Sequence, residues 1–545
     1  MQLPPHARPR PLFLALAGWL AWGVPTGWMV AAESGQGAPS QWVYAGPDGK
    51  LHYKTTPRGD RIMDFSHAGY MGGGVALPNV PVRRTVRPSG TGDDTAAIQA
   101  ALDEVAALAP EGGFRGAVLL APGTFTCAGT LSIAASGVVL RGSGTASNAE
   151  TRSTIKMVGR PHPAIVLRGP GEGESGPESG DAPGVRAEAL LKPLATVIAD
   201  AYVPSGARGF RVRDASGLAV GDTIEIRRPV TAAWVKFMGM DDLVRGGRPQ
   251  TWLRVGSSTR CERRITGISG NTITLDIPVS DSFDAKYVEP PGGQVVKVRP
   301  RRRLAQAGIE NLHIESPPQA ISHTQPHFSA VRISGEDCWA RDLVIDETMN
   351  SVAVNGRRIT LQRVTVNRKA LHQGSSRPAE FAPNASQVLL DRCAVNADNV
   401  WFVGTGSRQS GPIVLLNCVF RGNGRAEAHQ RWSTAMLYDN CRALEGGMDF
   451  RNRGSMGSGH GWTMGWGVAW NCVAKHFCIQ NPPGAVNWMI GCVGKRQTQA
   501  RPFGSGPRLP EGIVDSHRTP VAPTSLYLAQ LAERLGPQAL KNIGY

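Results

Sequence analysis

Between residues 308 and 494 hydrophobic and polar positions alternate in one short phrase that keeps returning. A polar residue or two comes first, then an inward core residue, then an alternating tail. It reads IENLHIES (309–316), ARDLVIDE (340–347), LQRVTVNR (361–368), LDRCAVNA (390–397), LLNCVFRG (415–422), YDNCRALE (438–445), WNCVAKHF (470–477) and IGCVGKRQ (490–497). Aligned this way, one inward position is filled by Leu312, Leu343, Val364, Cys393, Cys418, Cys441, Cys472 and Cys492. The steps between them are 31, 21, 29, 25, 23, 31 and 20 residues. Self-similarity at such a period is the mark of a solenoid or array. Period-2 alternation with no helical period predicts a β-solenoid, an all-β fold with a long flank suited to a polymer.

The segments around the repeat predict its caps and interruptions. Over 90–108, Ile98, Ala101, Leu102, Val105 and Leu108 share a helical face, and Asp93, Asp94 and Thr95 stand at its start. A short helix there would cover the open end of the first coils, since terminal repeats need caps. Residues 170–185 read as a polar, glycine-rich loop. Residues 203–290 read as a β-rich insertion, with hairpin-like phrases at 209–228 and 262–280 around a Trp-, Met- and Arg-rich stretch, 231–255. SLYLAQLAERLG (525–536) predicts a C-terminal helix, a second cap. The expected organisation is a leader at 1–32, a pre-body segment at 33–90 and first coils with the capping helix at 91–202. The insertion follows at 203–290, the main coils at 291–500 and a helical tail at 501–545.

The leader reads as a secretory signal peptide. His6, Arg8 and Arg10 precede an apolar stretch from Pro11 to Val30, and Val30-Ala31-Ala32 is a cleavage site. An uncleaved anchor is the alternative. No later segment is apolar enough to span a bilayer, so a periplasmic or secreted monomer is expected. Losing the leader takes the net charge from +16 to +14. An exported basic chain suits an acidic polysaccharide partner; nucleic acid fits the charge but not the compartment. The arginine richness is also compatible with composition alone. Nine cysteines would suggest disulfides in an oxidising compartment. The five ladder cysteines argue otherwise. Stacked strands lie about 4.8 Å apart, whereas a disulfide wants Cβ atoms about 3.8 Å apart. They are expected as buried apolar fillers, with Cys478 left open to pairing. No CxxC or paired-His spacing suggests a metal.

The phrases GDDTAAIQAALD, AVLLAPGTF and GVVLRGSG resemble the start of the pectate-lyase-like superfamily, which includes polysaccharide lyases, polygalacturonase-type hydrolases and phage tailspikes. The likeness covers roughly residues 60–145, and the repeat extends it to about 494. It implies a right-handed parallel β-helix and is weak for chemistry, because these motifs build the capped end.

The densest polar-aromatic stretches lie at 426–440, 448–467 and 475–491, largely between ladder positions. Turns on a rigid scaffold are where sites concentrate. His429-Gln430-Arg431-Trp432, Gly459-His460-Gly461-Trp462 and Asn487-Trp488-Met489-Ile490-Gly491 resemble phrases of exported pectate-lyase-like proteins. Polygalacturonases carry Gly-His-Gly beside paired aspartates, but the Asn-Thr-Asp and Arg-Ile-Lys phrases expected with them are absent. Asp439, Glu445 and Asp449 remain as acids for that reading. β-Elimination uses residues that are present: a cation to neutralise the uronate carboxylate and a base for the C5 proton. The expected catalytic set is His460 as base, His429 as acid or orienting partner, and Arg431 or Arg453 as neutraliser. Trp432, Trp462 and Trp466 are expected to stack on sugar rings. Arg451, Lys475, His476 and Gln480 join the substrate-binding set, and Lys369 with His372 on an earlier coil extends it, beside His323 and His327. Against each choice stands an ordinary role in turns, core packing or surface ion pairs. No cofactor is singled out by the sequence, and calcium, which several β-helix lyases of this kind use, stays open. Three function classes stay open: polysaccharide lyase, glycoside hydrolase, and non-catalytic glycan binding.

Overall fold

A computed structural model describes residues 37–146, 148, 150–170, 195–299 and 303–545. The leader read over 1–32 and nearly all of the loop read over 170–185 lie outside the described residues. At its centre is a 24-stranded sheet whose strands pair in parallel, each coil bonded to the next. A coil has three flanks. In the coil ending at Arg368, residues 352–357 form flank A, 359–362 flank B and 364–367 flank C; they pair with 331–336, 338–341 and 343–346. The next coil continues with 381–386, 388–391 and 394–397.

The polar half of the repeated phrase is the corner between flanks B and C. The residue just before each ladder position has a left-handed backbone: Asn311, Asp342, Arg363, Arg392, Asn417, Asn440, Asn471 and Gly491, with φ from 50° to 66°. Asn, Asp and Gly tolerate this region best. The turn then points the next side chain inward. The ladder residues stack in register, Leu312 on Leu343 and Leu343 on Val364, and all of them are buried. The five ladder thiols each donate to a carbonyl of the preceding coil, as Cys441 Sγ does to Leu415 O at 3.3 Å and Cys472 Sγ to Tyr438 O at 3.3 Å. Cys478 is likewise a buried free thiol.

Helix Thr95–Ala106 buries Ile98, Ala101, Leu102 and Val105 against the first coils. Leu108, expected on that face, is 41% exposed because the helix has ended by then. The stack closes over the chain's excursion between its second and third coils: Val139 pairs directly with Gly308, and Pro163–Arg168 lies beside 329–334. The excursion carries a six-stranded antiparallel sheet reaching from Ala195–Val197 to Gln294–Lys297. Its turn at Gly270-Asn271 joins Ser258–Ser269 to Thr272–Leu275 as a hairpin. The phrase 209–228 is not a hairpin. Its halves pair with different strands, Gly209–Arg211 with 272–274 and Thr223–Pro229 with 258–264. Flank B is covered by the chain ends. Helix Leu526–Leu535 lies along it beside Trp42 and Phe65, and Tyr527 donates to Ala68 O at 2.9 Å. This helix therefore covers a flank and does not close the end of the stack. Among the described residues no helix is long and apolar enough to cross a membrane.

Candidate active site

Two neighbouring coils each carry an acid followed by basic or imidazole side chains at alternate positions from the start of flank A. One reads Arg425, Glu427, His429, Arg431, and the next Asp449, Arg451, Arg453. Register sets Glu427 beside Asp449, and alternate residues of a strand share a face. Glu427 is fully buried and sits at the centre. Arg451 Nε donates to its Oε2 at 2.7 Å, Arg453 Nε lies 3.2 Å from Oε1, and His429 Nδ1 lies 3.4 Å from Oε1. Asp449 takes Arg425 Nη1 at 2.6 Å. Arg453 Nη1 then reaches 2.6 Å from His429 Nδ1 and 3.1 Å from His460 Nδ1. The two imidazoles lie 5.1 Å apart, and Trp401 packs 4.8 Å from His429.

A back-folded loop delivers His460. Arg453 N donates to Gly461 O at 2.7 Å, Gly461 N to Gly454 O at 2.9 Å, and Arg431 N to His460 O at 3.1 Å. The flanking glycines answer to the insertion. Gly461 has φ 52°, and a Cβ there would lie 2.3 Å from Trp252 Cδ1; at Gly459, φ 87°, it would lie 2.9 Å from Gln250 Cβ. The Gly-His-Gly triplet is thus the seat of the 231–255 stretch. Trp252 Nε1 donates to Trp462 O and Trp462 Nε1 to Met238 O, both at 3.0 Å.

Burial and like charge set the protonation of the cluster. Burial raises Glu427, but Arg451, Arg453 and His429 outweigh it and hold the carboxyl well below its usual range. Burial and Arg453 push His429 down to about 4. Burial, Arg453 and His429 push His460 down to about 2. Burial lowers Arg453 to about 10 although Glu427 opposes it. Both histidines are therefore neutral near pH 7 beside a charged guanidinium.

The expected residues divide. His429, Arg453 and His460 converge, with Arg451 beneath them. Arg431 lies at the rim, donating to Ser458 O at 2.9 Å. Trp432 and Trp462 are 2% exposed and Trp466 is 3% exposed, so none offers a ring face to a sugar. Trp432 and Trp466 instead donate to Asp281 of the insertion, at 2.8 and 3.1 Å. Gln480 is buried and spent on backbone, accepting from Asn452 N and donating to Gln499 O, both at 2.9 Å. Lys475 is exposed and His476 half-buried on the same flank. Among the acids considered for hydrolysis, Asp439 holds Ser525 Oγ and Tyr527 N at the start of the C-terminal helix. Glu445 accepts from Gly422 N. On the earlier coils, His372 is buried, bonding Ser376 O at 2.6 Å, and His323 bonds Ser376 Oγ at 2.7 Å. His327 bonds Gln325 O. Lys369 instead lines a cleft of about 730 Å³ with Lys156, Asn367 and Asn396.

Sequence reasoning missed Glu427, the hub, and the roles of Arg425 and Trp401. The signal was there in E-x-H-x-R lying over D-x-R-x-R. Among the described residues no group of three or more His, Cys, Asp or Glu is placed to hold a metal. Glu427 and Asp449 are engaged by guanidiniums, a donor set that does not suit calcium.

No protein-family model and no curated protein matches the sequence. Among solved structures, the chain is similar to the tailspike protein gp49 from Pseudomonas phage LKA1. That likeness covers 73% of this chain and 56% of that one, at 14% identity and a TM-score of 0.39. The A-module of the Azotobacter vinelandii mannuronan C-5 epimerase AlgE6 matches over 78% of this chain and 95% of its own, at 11% identity and 0.29. The gp54 tailspike of Acinetobacter baumannii bacteriophage AP22, in complex with capsular saccharide, matches over 75% and 73%, at 9% identity and 0.22. The chain thus spans little more than half the length of the gp49 tailspike. At this level of likeness the chemistry rests on the side chains themselves.

Proposed function

We propose that the chain is an exported, periplasmic or secreted carbohydrate-active enzyme that cleaves a uronic-acid polysaccharide by β-elimination. It acts as a monomer on coils that wind right-handed, the hand that parallel crossovers favour. The observation that carries this reading is Arg453 Nη1 lying within 3.1 Å of both His429 and His460. A guanidinium and a neutral imidazole side by side meet the two needs of elimination. The cation neutralises the substrate carboxylate and stabilises the enolate-like charge that develops at C5. The imidazole takes the C5 proton.

The role of base passes here from His460 to His429. His429 keeps 18% of its side chain exposed, whereas His460 is more deeply buried and harder to protonate. As the C4–O4 bond breaks, a C4–C5 double bond forms, and the proton held by His429 passes to the departing O4. His460 orients Arg453. Arg431, at the rim, joins in neutralising the carboxylate.

Inverting hydrolysis needs one protonated carboxyl beside one ionised carboxyl. Glu427 is held ionised by two guanidiniums, which weighs against that reading. The test is a panel of uronic-acid polymers read both by ultraviolet absorbance of the new double bond and by reducing ends. Both signals are expected from the wild type, with the rate lost in His429→Ala. Reducing ends without absorbance would replace elimination with hydrolysis; retention without cleavage would leave glycan binding alone.

A further inference from the structure

Each guanidinium of the Glu427 cluster is committed to a carboxylate or the loop: Arg425 to Asp449, Arg451 and Arg453 to Glu427, Arg431 to Ser458. Arg377 differs. Its guanidinium lies 5.5 Å over the ring of Trp401 and makes no ion pair among the described residues. The same indole has Arg453 at 5.0 Å and His429 at 4.8 Å. Trp401 is thus a ring that Arg377 shares with the proposed reacting groups.

The loop that presents Arg377 is well held. Lys369 N and Ala370 N donate to Glu347, His372 bonds Ser376 O at 2.6 Å, and Trp401 N donates to Pro378 O at 2.8 Å. Arg377 is half-buried; burial and repulsion from Arg425 and Arg451 work against its charge, and the pull of Glu427, which makes no ion pair with it, offsets them only in part. A guanidinium that has lost water without a carboxylate in contact can still take one, and its fork matches a carboxylate with two hydrogen bonds.

We infer that Arg377, braced on Trp401, binds the carboxylate of the uronate unit next to the one that reacts. The inference rests on the elimination reading for the identity of the polymer. It makes Arg377 a residue that selects a charged neighbour and takes no part in bond breaking.

The test uses Arg377→Gln and Arg377→Lys in the full chain, on whichever uronan the wild type cleaves. Losing one charge-assisted contact should raise KM about tenfold or more and leave kcat within about twofold. Lysine should restore part of the loss, and thermal melting should be unchanged. Methyl-esterifying the polymer should abolish the difference between wild type and Arg377→Gln. An unchanged KM in Arg377→Gln would overturn the inference and leave elimination standing. If the wild type cleaves no uronan, the elimination reading fails. The inference is then decided by retention in native gels cast with polygalacturonate or alginate. Weaker retention of Arg377→Gln would support it, and equal retention would overturn it.

Discussion

Acidification should destabilise the chain through His429, and the size of the effect follows from its surroundings. An ordinary imidazole takes a proton near pH 6.5; His429, buried and facing Arg453, takes one only near 4. Above about pH 6.5 both the folded and the unfolded chain hold this group neutral, so it contributes no pH dependence. As the pH falls from about 6.5 to about 4 the unfolded chain gains a proton that the folded chain refuses, and stability is lost over that window. A gap of about 2.5 units, at roughly 1.4 kcal/mol each, amounts to about 3 kcal/mol. The assay is denaturant unfolding of the wild type and His429→Asn across this range. His460, held down to about 2, adds its own slope to both proteins, so the difference between them isolates His429. That difference should narrow by about 3 kcal/mol on acidification. Two curves that stay parallel from neutral pH to about 4 would refute the buried, neutral state on which the proposed base depends.

Glu427→Gln should be more damaging than its near-identical shape suggests. It leaves Arg453 buried without its carboxylate and Arg451 with only Asp449, 3.6 Å away, at a cost of about 3–5 kcal/mol, read as a fall in melting temperature and loss of activity. Gly461→Ala places a methyl group against Trp252 at a left-handed position. It should unseat the insertion, read as changed near-ultraviolet circular dichroism of the tryptophans; an unaltered spectrum would contradict the seat described. Asp281→Ala removes the acceptor of Trp432, Trp466 and Arg228 and should shift tryptophan emission to the red. All nine cysteines are buried and free, so a thiol reagent should react with none quickly in the folded chain and with all after unfolding.

The repeat made the coil legible because its two halves have separate physical causes: a left-handed corner that favours Asn, Asp or Gly, and an inward side chain just after it. The site was only half legible. His429, Arg453 and His460 stood out as polar residues outside the ladder, but Glu427 did not. Glu427 lies nine residues beyond Cys418 and Asp449 eight beyond Cys441, because the corner between flanks C and A varies in length. An alignment on the cysteines therefore slips by one residue and hides that the two acids are neighbours. The tryptophans misled for a different reason. Trp432 and Trp466 look like sugar platforms until their partner is known, and that partner, Asp281, is more than 150 residues upstream in the case of each. No local pattern carries such a pairing.

The seat of the insertion also dictates an order of events as the chain is made. Residues 195–299 leave the ribosome well before the loop holding Gly459, Gly461 and Trp462 exists. The coils on either side of the excursion can zip together at once, since Val139 needs only Gly308. The tryptophans of the excursion, however, must wait for about 160 further residues before they are covered. For that interval Trp234 and Trp252 form an uncovered greasy surface on a nascent chain. A holding chaperone, or brisk translation of residues 300–466, is what would keep that surface from finding the wrong partner.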